Sequence, residues 1–230
     1  MSTILITGAN RGIGLALTKA YAERGDTVLA CCRKPSAASE LQALAKTHAV
    51  TVLELAVDDE RSVAALARRL GDTAIDVLLN NAGVGAGQPA RQTATTMDFA
   101  AWAAAFAVNT MGPVRVLQAL LPQLERSPQP KVMSVTSQLG ALSLDSPFAF
   151  AYSATKAALN KFMRLAAIEL RPRGIAVGVI HPGWVQTDMG GSTAPITPSA
   201  SAAGIQEVVE RLTLDTTGRF WKWDGSLHEW

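Results

Sequence analysis

Charge, cysteine, histidine and long apolar runs are all scarce in this chain, and each shortage excludes something. Only 17% of its 230 residues are charged, and the formal net charge is +2. So small a balance provides no basic stripe for nucleic acid and no patch for an anionic membrane surface, so neither partner is expected. The two cysteines, Cys31 and Cys32, are adjacent. Neighbours in a strand point to opposite faces, so they are expected to be separate reduced thiols, in keeping with a cytoplasmic protein. No run of about 18 apolar residues is present, so no transmembrane helix is expected. Ser2-Thr3 and the short apolar run after them lack the regions of a signal peptide. The chain has three histidines, and His181, flanked by proline and without a Ser- or Cys-based partner pattern, reads as structural. No metal site is expected. No repeat, low-complexity tract or linker divides the chain.

What is present is a core-forming composition, 48% hydrophobic, within the length one α/β domain can hold. Residues 1–230 are read as that one domain. Thr3 to Thr7 is a short buried strand ending in Thr7-Gly8-Ala9-Asn10-Arg11-Gly12-Ile13-Gly14, and a helix follows from about Ile13 to Arg24, stopped by Gly25. Strand, glycine-rich turn and helix make a pyrophosphate site. Gly8 permits the tight turn, Gly12 lets backbone approach a phosphate, and Gly14 lets the helix pack on the strand. The helix N-terminus offers free amides and a positive dipole end. Thr27 to Cys32 forms the second strand, where a dinucleotide fold places its ribose reader. No acid stands there. Arg33 and Lys34 do, and Arg11 adds a further charge, which favours a 2′-phosphate and therefore NADP(H) over NAD(H), with NAD(H) still usable.

A helix (37–46), a third strand (50–55), a helix opened by Asp58-Asp59 and a fourth strand (75–79) follow. The fourth strand runs into Asn80-Asn81-Ala82-Gly83, a turn facing the ligand crevice. A long helix from Phe99 to Leu121 carries Asn109 on an apolar background, and Gly112-Pro113 weakens the ladder there, so a kink bearing a polar group is expected. The fifth strand (132–136) leads to Ser137. Next comes Tyr152-Ser153-Ala154-Thr155-Lys156, at the start of a run reaching Leu170. Four residues apart on a helix, Tyr152 and Lys156 share a face. An ammonium beside a phenol, which ordinarily titrates near 10, is expected to bring its pKa towards neutrality. The sixth strand (175–180) ends in His181-Pro182-Gly183-Trp184-Val185-Gln186-Thr187. Residues 184–203, rich in Gly, Pro, Ser and Thr, are read as a mobile substrate loop. A last helix (202–212) and a last strand (218–223) close the chain.

Taken together, Thr7-Gly8-x-x-x-Gly12-x-Gly14, Asn80-Asn81-Ala82-Gly83, Asn109, Ser137, Tyr152-x-x-x-Lys156 and Pro182-Gly183…Thr187 resemble the short-chain dehydrogenase/reductase superfamily over nearly the whole chain. The glycine turn, the stretch His181 to Gly191 and the tail Gly218 to Gly225 look like its C-factor/sniffer-like carbonyl reductase branch. The resemblance implies a single-domain Rossmann fold: a doubly wound parallel sheet of about seven strands with helices on both faces. It implies hydride transfer between NADP(H) and a carbonyl or alcohol, and it implies roles. Ser137 would hydrogen-bond the substrate oxygen and Tyr152 would give or take the proton. Lys156 would hold the nicotinamide ribose, and Asn109 would keep a water that relays protons. Pro182, Gly183, Trp184, Val185 and Thr187 would orient the nicotinamide. Asn10, Ile13, Val57, Asn81, Ala82 and Gly83 complete the implied cofactor contacts. Ala56 stands where the family usually has an adenine-binding Asp, and a slipped register would bring Asp58 there instead. An apolar carbonyl substrate is expected against Val84, Leu139, Leu142, Phe148, Trp184 and Met189. A homodimer or homotetramer is expected through the long helices, aided by Trp221, Trp223 and Trp230. The alternative is a dinucleotide-binding regulatory or signalling protein with little turnover. A sugar-nucleotide epimerase is disfavoured by the short segment after Thr187.

Overall fold

The computed structural model describes residues 1–230, the side chain of Pro89 excepted. In chain order the main elements are β1 (Thr3–Thr7), α1 (Gly12–Glu23), β2 (Thr27–Cys32), α2 (Ser39–Leu44), β3 (Val50–Glu54), α3 (Glu60–Leu70) and β4 (Val77–Asn80). They continue with α4 (Phe99–Phe106), α5 (Gly112–Ala119), α6 (Leu121–Leu124), β5 (Lys131–Val135), α7 (Phe150–Leu170), β6 (Ala176–His181), α8 (Pro198–Arg211) and β7 (Phe220–Lys222). The strands form one sheet in the order β3-β2-β1-β4-β5-β6-β7, every pair parallel. This is the expected doubly wound sheet.

Its central strands are apolar on both sides because both sides are covered. Leu5, Leu78, Val132 and Val177 face a core closed by Leu66, Leu117, Leu159 and Met163 from α3, α5 and α7. Ile4, Ile6, Leu79 and Ile180 face a second core, closed by Leu17, Tyr21, Leu41, Ile205 and Val208 from α1, α2 and α8. Cys31 lies in the first core and Cys32 in the second, as strand alternation requires, and both are free thiols. The strand order reverses between β1 and β4, which opens a crevice at their carboxyl ends.

Three expectations change. The helix foreseen from Phe99 to Leu121 is interrupted: residues Ala107–Met111 wind as a π-helix between α4 and α5. Pro113 has no amide to give the Asn109 carbonyl four residues back, and Gly112 stays bare because a Cβ there would sit 2.8 Å from Val57 Cγ2. The kink is therefore a bulge, a recurrent device at functional sites. Next, α8 begins at Pro198, capped by Thr197, whose side chain accepts from the Ala200 amide. Only 184–197 of the 184–203 loop stretch lies outside it. Finally, the tail tryptophans are not free surface. Trp221 is 3% exposed, and Trp223 and Trp230 pack against the two cores. Among the described residues no helix is long and apolar enough to cross a membrane.

Candidate active site

The crevice is a cleft of about 870 Å³. It starts at the glycine turn, passes the ends of β2 and β3, and ends at Tyr152 and Lys156. Gly8 and Gly12 take φ of +67° and +54°, conformations that favour glycine. A Cβ on Gly8 would lie 2.9 Å from Ala82 Cα, and one on Gly14 would lie 2.3 Å from the Gly8 carbonyl oxygen and 2.5 Å from Asn81 Nδ2. The turn is therefore as tight as its glycines allow. It is also cross-braced. Thr7 Oγ1 accepts from the amides of Asn81 and Ala82 at 3.0 Å each, while Asn81 Nδ2 donates to the carbonyls of Thr7 at 2.9 Å and Gly8 at 3.2 Å. Asn81 thus builds the turn rather than offering a free amide to a ligand. The first turn of α1 has neither a side-chain cap nor an acidic residue, so its amides face the cleft unpartnered by side chains. These features fit a dinucleotide pyrophosphate.

Around the turn, Arg11 donates to Asp188 at 2.5 Å, while Arg33 is exposed and lines the cleft. Of the adenine-side residues, Asp58 lines the cleft along with Val57 and Leu55, whereas the Ala56 amide is turned to Ser62 Oγ at 2.9 Å.

At the other end, α7 presents Tyr152 and Lys156 one turn apart. Ser137 lies just past the carboxyl end of β5, near the Tyr152 phenol, and its Oγ accepts from the Leu139 amide at 3.2 Å. Lys156 is 4% exposed, donates to the Val135 carbonyl at 2.9 Å, and lies 5.8 Å from the centroid of the Tyr152 ring. Burial brings the Lys156 ammonium down to about 8. Tyr152 is pushed up to about 12 by burial, which outweighs the opposing influence of the nearby Ser137 hydroxyl. The expected lowering by Lys156 is not seen, because desolvation dominates and the ammonium is drawn to a backbone carbonyl.

Asn109 is fully buried. Its Oδ1 accepts from the Val84 amide at 2.8 Å, and its Nδ2 donates to the Val84 carbonyl at 2.8 Å and to Thr155 Oγ1 at 3.1 Å. The amide is committed to protein partners, and a Cβ on the adjacent Gly83 would stand 3.4 Å from Asn109 Oδ1 and 3.6 Å from Lys156 Nζ.

Of the residues after β6, Pro182, Gln186, Thr187, Asp188 and Met189 line the cleft. Gly183 takes φ +88°, with no room for a Cβ beside Ile196 and Trp223, Trp184 donates through Nε1 to the Gly190 carbonyl at 2.7 Å, and Val185 is buried. Of the apolar residues foreseen around the substrate, Val84 and Met189 line the cleft, and Leu142, Phe148 and Trp184 are exposed.

Two contributors escaped the sequence reading. Gly140 lets the Ser137 loop lie on α7: a Cβ there would meet the Lys156 carbonyl carbon at 2.7 Å and Lys156 Cβ at 2.8 Å. Asp188 holds Arg11. Neither has a local signal, since both depend on contacts between distant segments.

A family model described as short chain dehydrogenase matches residues 2–196, and the chain belongs to that family. It is an oxidoreductase of the dehydrogenase/reductase kind. It is 40% identical over 157 residues to C-signal of Myxococcus xanthus, an alignment covering 68% of this chain and 93% of that one. Among solved structures it is similar to the carbonyl reductase Sniffer of D. melanogaster, at TM-score 0.93 and 31% identity, with both chains covered completely. It is also similar to an NADPH-bound carbonyl reductase from chicken fatty liver, at TM-score 0.91 and 31% identity over 100% of this chain and 99% of that one.

Proposed function

We propose that the protein reduces a carbonyl compound to an alcohol with NADPH, Tyr152 delivering the proton. The observation that carries this reading is that Tyr152 and Lys156, 5.8 Å apart from ring centroid to Nζ, line the same cleft as the glycine turn, with Ser137 near the phenol. The bound nicotinamide supplies the hydride. Ser137 and Tyr152 bind the substrate oxygen together, and as negative charge develops there Tyr152 passes its phenolic proton across. A phenol held near 12 stays protonated at neutral pH, which suits reduction better than the reverse oxidation. Lys156 binds ribose hydroxyls from the floor of the cleft. Asn109 serves by holding Val84 and, with it, the turn at Gly83.

Arg33, with no acid at the end of β2, supports NADP(H) over NAD(H), as does the NADPH bound to the chicken relative. Residues 184–197 are proposed to move over the substrate, and the exposed Leu142, Phe148, Trp184 and Met189 favour an apolar carbonyl. Phe162, Leu165 and Ile168 are exposed along one side of α7, and Phe99 and Met111 are exposed near α4; these support self-association into a dimer or tetramer.

The similarity to C-signal favours a second reading, a dinucleotide-binding signalling protein with little turnover. A screen of aldehydes and ketones following NADPH absorbance separates the two. Turnover that Tyr152→Phe abolishes supports the reductase, and NADPH binding without turnover on any carbonyl supports the second reading.

A further inference from the structure

The helix that carries Tyr152 begins without a cap of its own. The residue before its first turn is Ala149, which has no side-chain acceptor and takes a left-handed conformation at φ 49° and ψ 52°. Among the described residues it is the one non-glycine at positive φ, a conformation unfavourable for an L-residue. First-turn amides have no partner within their own helix. Here two of them go to a single residue from a distant loop. The Gln92 carbonyl accepts from the Phe150 amide at 3.3 Å, and Gln92 Oε1 accepts from the amide of Tyr152 itself at 3.2 Å.

Gln92 is 3% exposed, and its orientation is set: Nε2 donates to the Gly87 carbonyl at 3.2 Å, which leaves Oε1 facing Tyr152. Its backbone is set as well. Gln92 pairs with Met97 in an antiparallel bridge, Arg91 and Asp98 form an ion pair at 3.2 Å, and the Asp98 amide donates to the Arg91 carbonyl. Asp98 in turn caps α4, the helix leading to Asn109. Met97, Trp102 and Tyr152 pack on the same small cluster of Ala86, Ala105 and Ala151.

We infer that Gln92 is a positioning residue for Tyr152: its side-chain carbonyl replaces the missing cap of α7 and fixes where the phenol is presented. Through the 91–98 hairpin it also ties the start of the tyrosine helix to the start of the helix that leads to Asn109. The inference rests on the reading of Tyr152 as proton donor, and its test is arranged so that the two fail separately.

In the unaltered protein, amide hydrogen exchange corrected for sequence should be at least about tenfold slower at Tyr152 than at Ile13, in the uncapped first turn of α1. Turnover is then measured with NADPH and 4-nitrobenzaldehyde. Gln92→Leu should lower kcat by about tenfold, the scale of losing a good cap, with the Kd for NADPH within about twofold of the parent. Gln92→Glu keeps the acceptor and should recover most of that kcat. Tyr152 exchanging as fast as Ile13, an unchanged kcat in Gln92→Leu, or equal losses in the Leu and Glu variants would overturn the inference. Should Gln92→Leu not fold, or should the aldehyde not be turned over, the exchange comparison decides. Turnover that survives Tyr152→Phe removes the proton-donor reading instead, and the exchange comparison still reports the cap.

Discussion

Arg11 and Asp188, 177 residues apart in the chain, form an ion pair at 2.5 Å that ties the glycine turn to the loop after β6. Next to it, a Cβ on Gly12 would touch Thr187 Cγ2 at 3.1 Å, so the two loops already meet at this point. On the proposed reading, a cofactor phosphate that Arg11 binds would share it with Asp188 or displace Asp188. Both side chains are largely exposed, so the pair contributes at most about 1 kcal/mol to stability. Asp188→Asn should therefore shift Tm by no more than about 2–4 °C. It should tighten NADPH severalfold and NADH less, as read by fluorescence titration. An unchanged Kd for NADPH would show that Arg11 does not serve the phosphate.

The buried lysine predicts a pH dependence of stability whose sign can be worked out. Lys156 titrates near 8 in the fold and at 10.5 unfolded. Below pH 8 it is charged in both states and the fold bears the full desolvation cost. Between 8 and 10.5 the unfolded chain binds more protons, so this contribution to stability rises with pH. The cost is at most about 3.4 kcal/mol. Tyr152 acts in the opposite sense: its pKa rises from 10.0 to about 12, so stability is lost as pH climbs through that window. Lys156→Met should consequently raise Tm relative to the parent most at pH 7 and least at pH 10. A difference in melting temperature that is flat over that range would mean that Lys156 is not desolvated.

Gly140 supplies a test of the contact between the Ser137 loop and α7. Gly140→Ala puts a methyl 2.7–2.8 Å from the backbone and Cβ of Lys156. The loop has to lift, and Asn160, whose Nδ2 donates to the Gly140 carbonyl at 3.1 Å, loses its partner. A loss of kcat by about tenfold or more is expected, with a smaller loss of NADPH binding because Lys156 is pushed while the glycine turn is untouched. Gly85→Ala serves as the control: it has open space and ordinary φ, and it should behave as the parent. Equal activity in both variants would show that the approach of loop to helix is not needed.

The parts of this molecule that are periodic or local were legible in the sequence. β1 and β2 lie where their apolar runs placed them, and Gly25, at φ +90°, stops α1 as a terminal glycine should. Asp59 caps α3 by accepting from the Arg61 amide. What was hidden depends on contacts across the fold. Gly112-Pro113 marks the kink at Asn109 in the sequence but not its π-helical form, where Gly112 has no room for a Cβ beside Val57, and the high Tyr152 pKa reflects burial that a Tyr-x-x-x-Lys spacing does not reveal. The commitments of Asn109 to Val84, of Asn81 to Thr7 and of Gln92 to Tyr152 are side-chain to backbone bonds over at least 25 residues. Periodicity carries no trace of such pairs.

The choice of dinucleotide gives the most direct test of the cofactor reading. On the proposed reading the glycine turn at the end of β1 would hold the pyrophosphate, and because β2 runs beside β1 with Thr7 opposite Cys31, the ribose would come to the end of β2. Arg33 stands there, exposed and lining the cleft. A guanidinium binds two phosphate oxygens through parallel N–H donors, and a charged bond of this kind contributes roughly 1.5–3 kcal/mol. A preference of at least about tenfold for NADPH follows, and because the site is open to solvent it should shrink as salt is added. Arg33→Asp replaces the anion reader with a carboxylate that repels the phosphate and can accept from a ribose hydroxyl. It should reverse the preference while turnover with NADH persists, since Tyr152 lies at the far end of the cleft. The comparison is kcat/KM for NADPH and NADH in both proteins. Equal values in the parent, or no change on Arg33→Asp, would show that the 2′-phosphate is not read by Arg33.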